Sequence, residues 1–140
     1  MLLSVLVVDT GVLVAAADRN DPAHHACADL LLSAPTPIVT TGLVVAKAAY
    51  LIQRELGVDS EVLLFRSIAE GAIQVLELTT TEWARVYELV AAYGDLPLGG
   101  TDASVIVLAE RLEQIQVAKL DYRHFSVVRP AHCVAFELVP

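Results

Sequence analysis

The stretch LLSVLVVDTG, residues 2–11, decides how this chain is read. Leu2 to Val8 is a short apolar run rich in branched side chains, the pattern of a strand buried on both faces. Asp9 closes the run, and Gly11 to Ala17 continues as a short helix. A doubly covered strand followed at once by a helix opens a parallel βα unit.

Outward from that unit the alternation repeats. Asp21 with Pro22 has cap and first-turn chemistry and predicts a helix through Leu32, which Pro35 and Pro37 stop before a strand over Ile38 to Thr40. Leu43 to Leu56 has helical spacing and ends at Gly57; Asp59 caps a helix over Ser60 to Glu70, and Gly71 ends it before a strand over Ile73 to Leu78. Thr79 and Glu82 have capping-box spacing for a helix from Thr80 to Tyr93. After a loop over Asp95 to Gly100, a helix from Thr101 to Leu112 leads to strands over Ile115 to Leu120 and Ala135 to Val139. Right-handed crossovers turn this order into an α/β fold, a mainly parallel central sheet with helices on both faces, in one domain over residues 1–140.

The bulk properties agree. A chain of 140 residues buries a core without staples, and 56% hydrophobic content with a mean hydropathy of +0.60 suits such a sheet. No apolar stretch reaches the ~18 residues of a spanning helix, and Asp9 in the centre of the longest candidate costs roughly 3 kcal/mol there. With no basic opening of a signal peptide, the expectation is a cytoplasmic protein with no membrane partner. Cys27 and Cys133 are then expected to be reduced packing residues. A net charge of −8 excludes broad, nonspecific attraction to nucleic acid, although bound cations and a few arginines can still present a site for a phosphodiester.

In a parallel sheet of this kind, strand ends and helix starts share the carboxyl rim, where ligands bind. Asp9 ends the first strand, Asp121 ends the strand over Ile115 to Leu120, and Asp102 begins the helix before it, so the three acids map to one rim. Each has an alternative on its own: a cap for Asp9, a dipole contact for Asp102, an Asx-turn before Tyr122 for Asp121. Together, three close carboxylates require a cation. Mg²⁺ or Mn²⁺ suits all-oxygen ligands, whereas the scattered histidines and cysteines do not suit zinc. A hard divalent ion there would activate water and clamp a phosphodiester.

Three segments carry a family resemblance: VVDTG (7–11), DLPLGGTDAS (95–104), and LDYRHF (120–125) with VVRP (127–130). Together they resemble the PIN-domain ribonucleases, specifically the VapC-type toxins of bacterial toxin–antitoxin pairs, in order and spacing along essentially the whole chain. The resemblance implies a PIN-like α/β/α sandwich and a metal-dependent endoribonuclease that cleaves cellular RNA. It also implies a homodimer, silenced by a cognate VapB-type antitoxin. Carried over by position, Asp9 and Asp102 hold the metal and Asp121 completes a catalytic acidic pocket. Asp95 is a further acid of the same loop, with a turn role as its alternative.

One position departs from that family pattern. In TGLVVAKAAY (41–50), Lys47 stands where the pattern has a glutamate. At an effective dielectric near 20, a unit charge at about 4 Å is worth about 4 kcal/mol before screening, so an ammonium there weakens metal binding. The alternative function is therefore a catalytically impaired PIN-fold binding module that keeps antitoxin binding and dimerisation. Lys47 otherwise bends to solvent or contacts the scissile phosphate.

Thr10, Lys47, Arg123 and Arg129 are the candidate substrate or antitoxin contacts, the arginines by their fork-shaped hydrogen bonding. Lys119 is read as a surface residue beside the rim, with a phosphate contact as the alternative. His124 is not expected to be catalytic, and Trp83 with Tyr87 is expected in the core or a dimer contact rather than a base-stacking platform.

Overall fold

The computed structural model describes residues 4–140, so Leu2 and Leu3 of the first expected strand lie outside the described residues. The elements run β1 (Leu6–Val8), α1 (Thr10–Ala17), α2 (His24–Ser33), β2 (Ile38–Thr41), α3 (Gly42–Leu56), α4 (Val58–Ala69) and β3 (Ile73–Leu76). They continue with α5 (Thr80–Ala92), α6 (Gly100–Leu112), β4 (Gln116–Ala118), α7 (Arg123–Val127) and β5 (Glu137–Val139). All strand pairings are parallel, and the order across the sheet is β3-β2-β1-β4-β5. The expected α/β architecture with helices flanking a parallel sheet is what forms.

The order carries the functional consequence. From β1 the chain steps outward to β2 and β3, then returns to the other side of β1 to make β4. The reversal leaves a crevice at the carboxyl ends of β1 and β4, the switch point where α/β sheets bind ligands. Val8 pairs with Ala118. One residue further along that register lie Asp9 and Lys119.

Local chemistry explains where element bounds move. Asp21 accepts the Ala23 N–H at 2.8 Å, so Asp21 and Pro22 make a turn and α2 starts only at His24. Asp59 is not the cap of α4 but lies in its first turn; Gly57 is the cap, with φ +96°, a conformation that disfavours a side chain. Helix α7 was not expected: five residues are too few to show a period. Trp83 and Tyr87 are 48% and 67% exposed, so the monomer core does not take them. Cys27 is buried, Cys133 is partly exposed, and both are free thiols. Among the described residues no helix is long and apolar enough to cross a membrane.

Helix α6 anchors the site. Ala103 to Ala109 are buried without a break, because α6 packs against α5, α3, β1 and β2 at once. A helix covered all round has little freedom to rotate, which fixes its first turn and Asp102 against the sheet edge. At the other end, Arg111 holds Glu82 through Nε–Oε2 at 2.8 Å and Nη2–Oε1 at 2.6 Å. Glu82 also closes the expected capping box, accepting the Thr79 N–H at 2.9 Å.

The Arg111 guanidinium, helped by the Thr79 N–H, holds the Glu82 carboxyl below its ordinary range against the opposing effect of burial. A depressed carboxyl contributes stability at neutral pH that is lost as pH falls through its folded value. Glu82→Gln is therefore expected to cost about 1 kcal/mol at pH 7, with the gap to the unsubstituted chain narrowing as pH falls through the carboxylate range. Urea denaturation at several pH values measures it; a gap that persists in acid removes the ion pair as its cause.

Candidate active site

Asp9 is the residue immediately after β1, and its N–H donates to the Ala118 carbonyl of β4 at 2.9 Å. Thr40 Oγ1 donates to the Val8 carbonyl at 2.7 Å, pinning the strand end just before it. Across the crevice, Thr41 caps α3 by accepting the Val44 N–H at 3.2 Å and shares a 2.8 Å hydrogen bond with Ser104 of α6. That hydroxyl pair ties the helix start bearing Lys47 to the one bearing Asp102. The cleft they frame measures about 420 Å³ and is lined by Asp9, Thr10, Lys47, Asp102, Asp121 and His124, among others.

At its centre is a cation that was read as a surface residue. Lys119 is 2% exposed, and its Nζ donates to Asp9 Oδ2 at 2.7 Å and to Asp102 Oδ1 at 3.0 Å. The ammonium also stands 4.4 Å from the centroid of the Phe125 ring, a cation–π distance. Burial alone would lower its pKa, but the carboxylates of Asp9 and then Asp102 outweigh that and raise it. The group is an ammonium at neutral pH. A lysine in an apolar strand covered on both faces has to find a counter-charge, and that signal was present in Gln116 to Leu120.

The predicted acids do not share one arrangement. Asp9 and Asp102 are brought together, on either side of Lys119. Asp102 uses its other oxygen, Oδ2, on His124 Nδ1 at 3.1 Å, giving His124 a place in the site that the sequence reading did not give it. Asp121 lines the same cleft, but its carboxylate accepts the Arg123 N–H at 3.1 Å and faces Arg123 Nε at 3.5 Å. The Arg123 backbone N–H, with its guanidinium, holds that carboxyl below its ordinary range. Asp121 thus begins the turn into α7.

The remaining candidates divide. Thr10 is buried in the cleft with Oγ1 lacking a hydrogen-bond partner, and Asp9 Oδ1 is likewise buried without one. Lys47 lines the cleft, exposed, and among the described residues forms no ion pair. Arg123 is strongly exposed beside Asp121. Arg129 is turned away, donating from Nη1 to the carbonyls of Ser126 and Val127 at 3.2 and 3.3 Å. Asp95 is exposed outside the cleft lining.

This donor set does not fit a divalent ion as it stands. Mg²⁺ needs carboxylate oxygens at about 2.0–2.1 Å, and the point between Asp9 and Asp102 is held by Nζ. Of the four oxygens on these two acids, Asp9 Oδ1 alone has no hydrogen-bond partner among the described residues. Among the described residues, no three His, Cys, Asp or Glu side chains gather closely enough to hold a metal. What the arrangement does is set one buried ammonium between the buried Asp9 and the partly buried Asp102, which leaves the trio with one negative charge.

A family model described as PIN domain matches residues 6–129. Ribonuclease VapC26 of Mycobacterium tuberculosis is 33% identical over 135 residues, covering 96% of this chain and 100% of that protein. In fold, the chain is similar to VapC20 of Mycobacterium tuberculosis, a sarcin–ricin-loop-cleaving toxin, with a TM-score of 0.81 at 18% identity over 92% of this chain and 98% of that one. It is also similar to VapBC2 of Rickettsia felis, solved bound to a DNA fragment from their promoter, with a TM-score of 0.69 at 12% identity over 98% and 100% of the two chains. The chain belongs to the PIN-domain family and, by its end-to-end match to a VapC ribonuclease, to the VapC type.

Proposed function

We propose that this chain is the toxin-side member of a VapB–VapC-type pair, an endoribonuclease whose RNA substrate engages the cleft of Asp9, Asp102 and Asp121. The observation that carries this reading is the convergence of Asp9 and Asp102, 93 positions apart in sequence, on one nitrogen at the sheet's switch point. The exposed Lys47 ammonium and Arg123 guanidinium are the groups offered to RNA phosphates, or to an acidic antitoxin tail. Thr10 lines the same cleft, but its unpartnered hydroxyl is buried and becomes a contact only for a group that reaches the cleft floor. Arg129 is the weakest of the four contacts, because its guanidinium is committed to backbone carbonyls. Action on cellular RNA places the protein in the cytoplasm, and the exposed Trp83 and Tyr87 suit a contact between two copies.

Mg²⁺ or Mn²⁺ is the cofactor that goes with this reading, and Asp9, Asp102 and Asp121 are its proposed ligands. With Lys119 between the first two, no catalytic step is assigned to the ion. That cation, together with Lys47, favours a second reading, in which the chain keeps antitoxin binding and dimerisation but is impaired as a nuclease. RNA cleavage with and without Mg²⁺ or Mn²⁺ decides between them. The first reading expects cleavage by the unsubstituted chain that Asp9→Ala abolishes. The second expects cleavage only after Lys47→Glu is combined with Lys119→Ala. Cleavage that survives Asp9→Ala sinks both.

A further inference from the structure

We propose that Lys119 is a built-in counter-ion that occupies the divalent-metal position of this rim, so that the folded chain takes up Mg²⁺ or Mn²⁺ poorly while that side chain is present. The inference rests on reading the rim as that of a PIN-domain nuclease. Three contacts define a seat for the ammonium: Asp9 Oδ2 at 2.7 Å, Asp102 Oδ1 at 3.0 Å and the Phe125 face at 4.4 Å. Lys119 and Phe125 are buried, 2% and 1% exposed, with Lys119 at the floor of the cleft.

Charge reinforces the steric argument. Asp9, Asp102 and Asp121 are the three acids of the cleft, and Lys119 with Lys47 returns two positive charges, leaving the lining one charge short of neutral. A divalent ion entering beside Lys119 would meet an ammonium within its own coordination distance. Even at an effective dielectric near 20 that repulsion lowers the ion's affinity by more than about tenfold. Lys47 is exposed and can move aside. Lys119 cannot, so it is the dominant obstacle, and Lys47→Glu alone leaves that obstacle in place.

The test uses the full chain with Mn²⁺ alone, with no RNA and no antitoxin, following free Mn²⁺ by electron paramagnetic resonance. The unsubstituted chain and Lys47→Glu are expected to show no saturable binding below about 1 mM, and Lys119→Ala to bind at least about tenfold tighter. Adding Asp9→Asn to Lys119→Ala is expected to abolish that gain. Equal binding by the unsubstituted chain and Lys119→Ala overturns the proposal, as does a gain that survives Asp9→Asn.

Should Lys119→Ala fail to fold, the unsubstituted chain still answers. Its buried lysine ammonium gives a ¹⁵N-correlated NMR signal, identified by its loss in Lys119→Arg. That signal is expected to stay unshifted as Mg²⁺ is added, and its displacement by Mg²⁺ overturns the proposal. Because RNA is absent throughout, a failure to cleave RNA leaves this result intact, and a failed metal test leaves the nuclease reading intact.

Discussion

Lys119→Met is expected to lower the unfolding free energy by about 3–5 kcal/mol, because it removes the charge and keeps the volume. Asp9 and Asp102 are then left facing each other beneath the sheet edge with no cation between them. Asp102 retains His124 at 3.1 Å, but Asp9 is 6% exposed and loses the sole hydrogen-bond donor its side chain has among the described residues. A loss of that size corresponds to a melting temperature lower by about 10–17 °C for a chain of this length. Combining Lys119→Met with Asp9→Asn is expected to recover at least about half of it, since breaking a buried pair costs far more than removing both charges. Urea denaturation of the three proteins measures the cycle. A loss below about 1 kcal/mol in the single variant would mean that the charges are solvated despite their burial.

That network also separates what the chain declared from what it concealed. The β1–α1 unit was legible because a run such as Leu6-Val7-Val8 has few alternatives once Asp9 and a helix follow it. The capping box of Thr79 and Glu82 was legible because both of its hydrogen bonds are local in sequence. The start of α2 was misread for a related reason: Asp21 has a short side chain that serves a turn as readily as a cap, and the Ala23 N–H was the nearer donor. Helix α7 escaped because five residues cannot establish a helical period.

The site was half legible. Strand ends and helix starts share a rim in any parallel sheet, so the approach of Asp9 to Asp102 follows from topology. Lys119 required two further facts that local pattern does not contain: that β4 pairs with β1, and that Val8 is in register with Ala118. With those in hand, Lys119 must face Asp9. Lys47 attracted attention because it departs from a family pattern, yet it is the exposed cation of the two. The position of Asp121 was foreseen along the chain but not the direction of its carboxylate, which the Arg123 N–H takes as α7 begins.

Phe125→Ala is expected to cost about 3–5 kcal/mol, the range for removing a buried aromatic ring that leaves a cavity. Phe125 is 1% exposed and stacks in a tilted pair with Phe136, ring centroids 5.6 Å apart, so it joins α7 to the segment leading into β5. It also forms one wall of the Lys119 seat. Phe125→Leu separates these roles, since it retains most of the apolar volume but has no ring face for the ammonium. In a double-mutant cycle, Phe125→Leu with Lys119→Met is expected to show a coupling of about 0.5–2 kcal/mol, the contribution of a desolvated cation–π contact. A coupling indistinguishable from zero would show Phe125 to be packing alone, and the ammonium to be held by Asp9 and Asp102 without it.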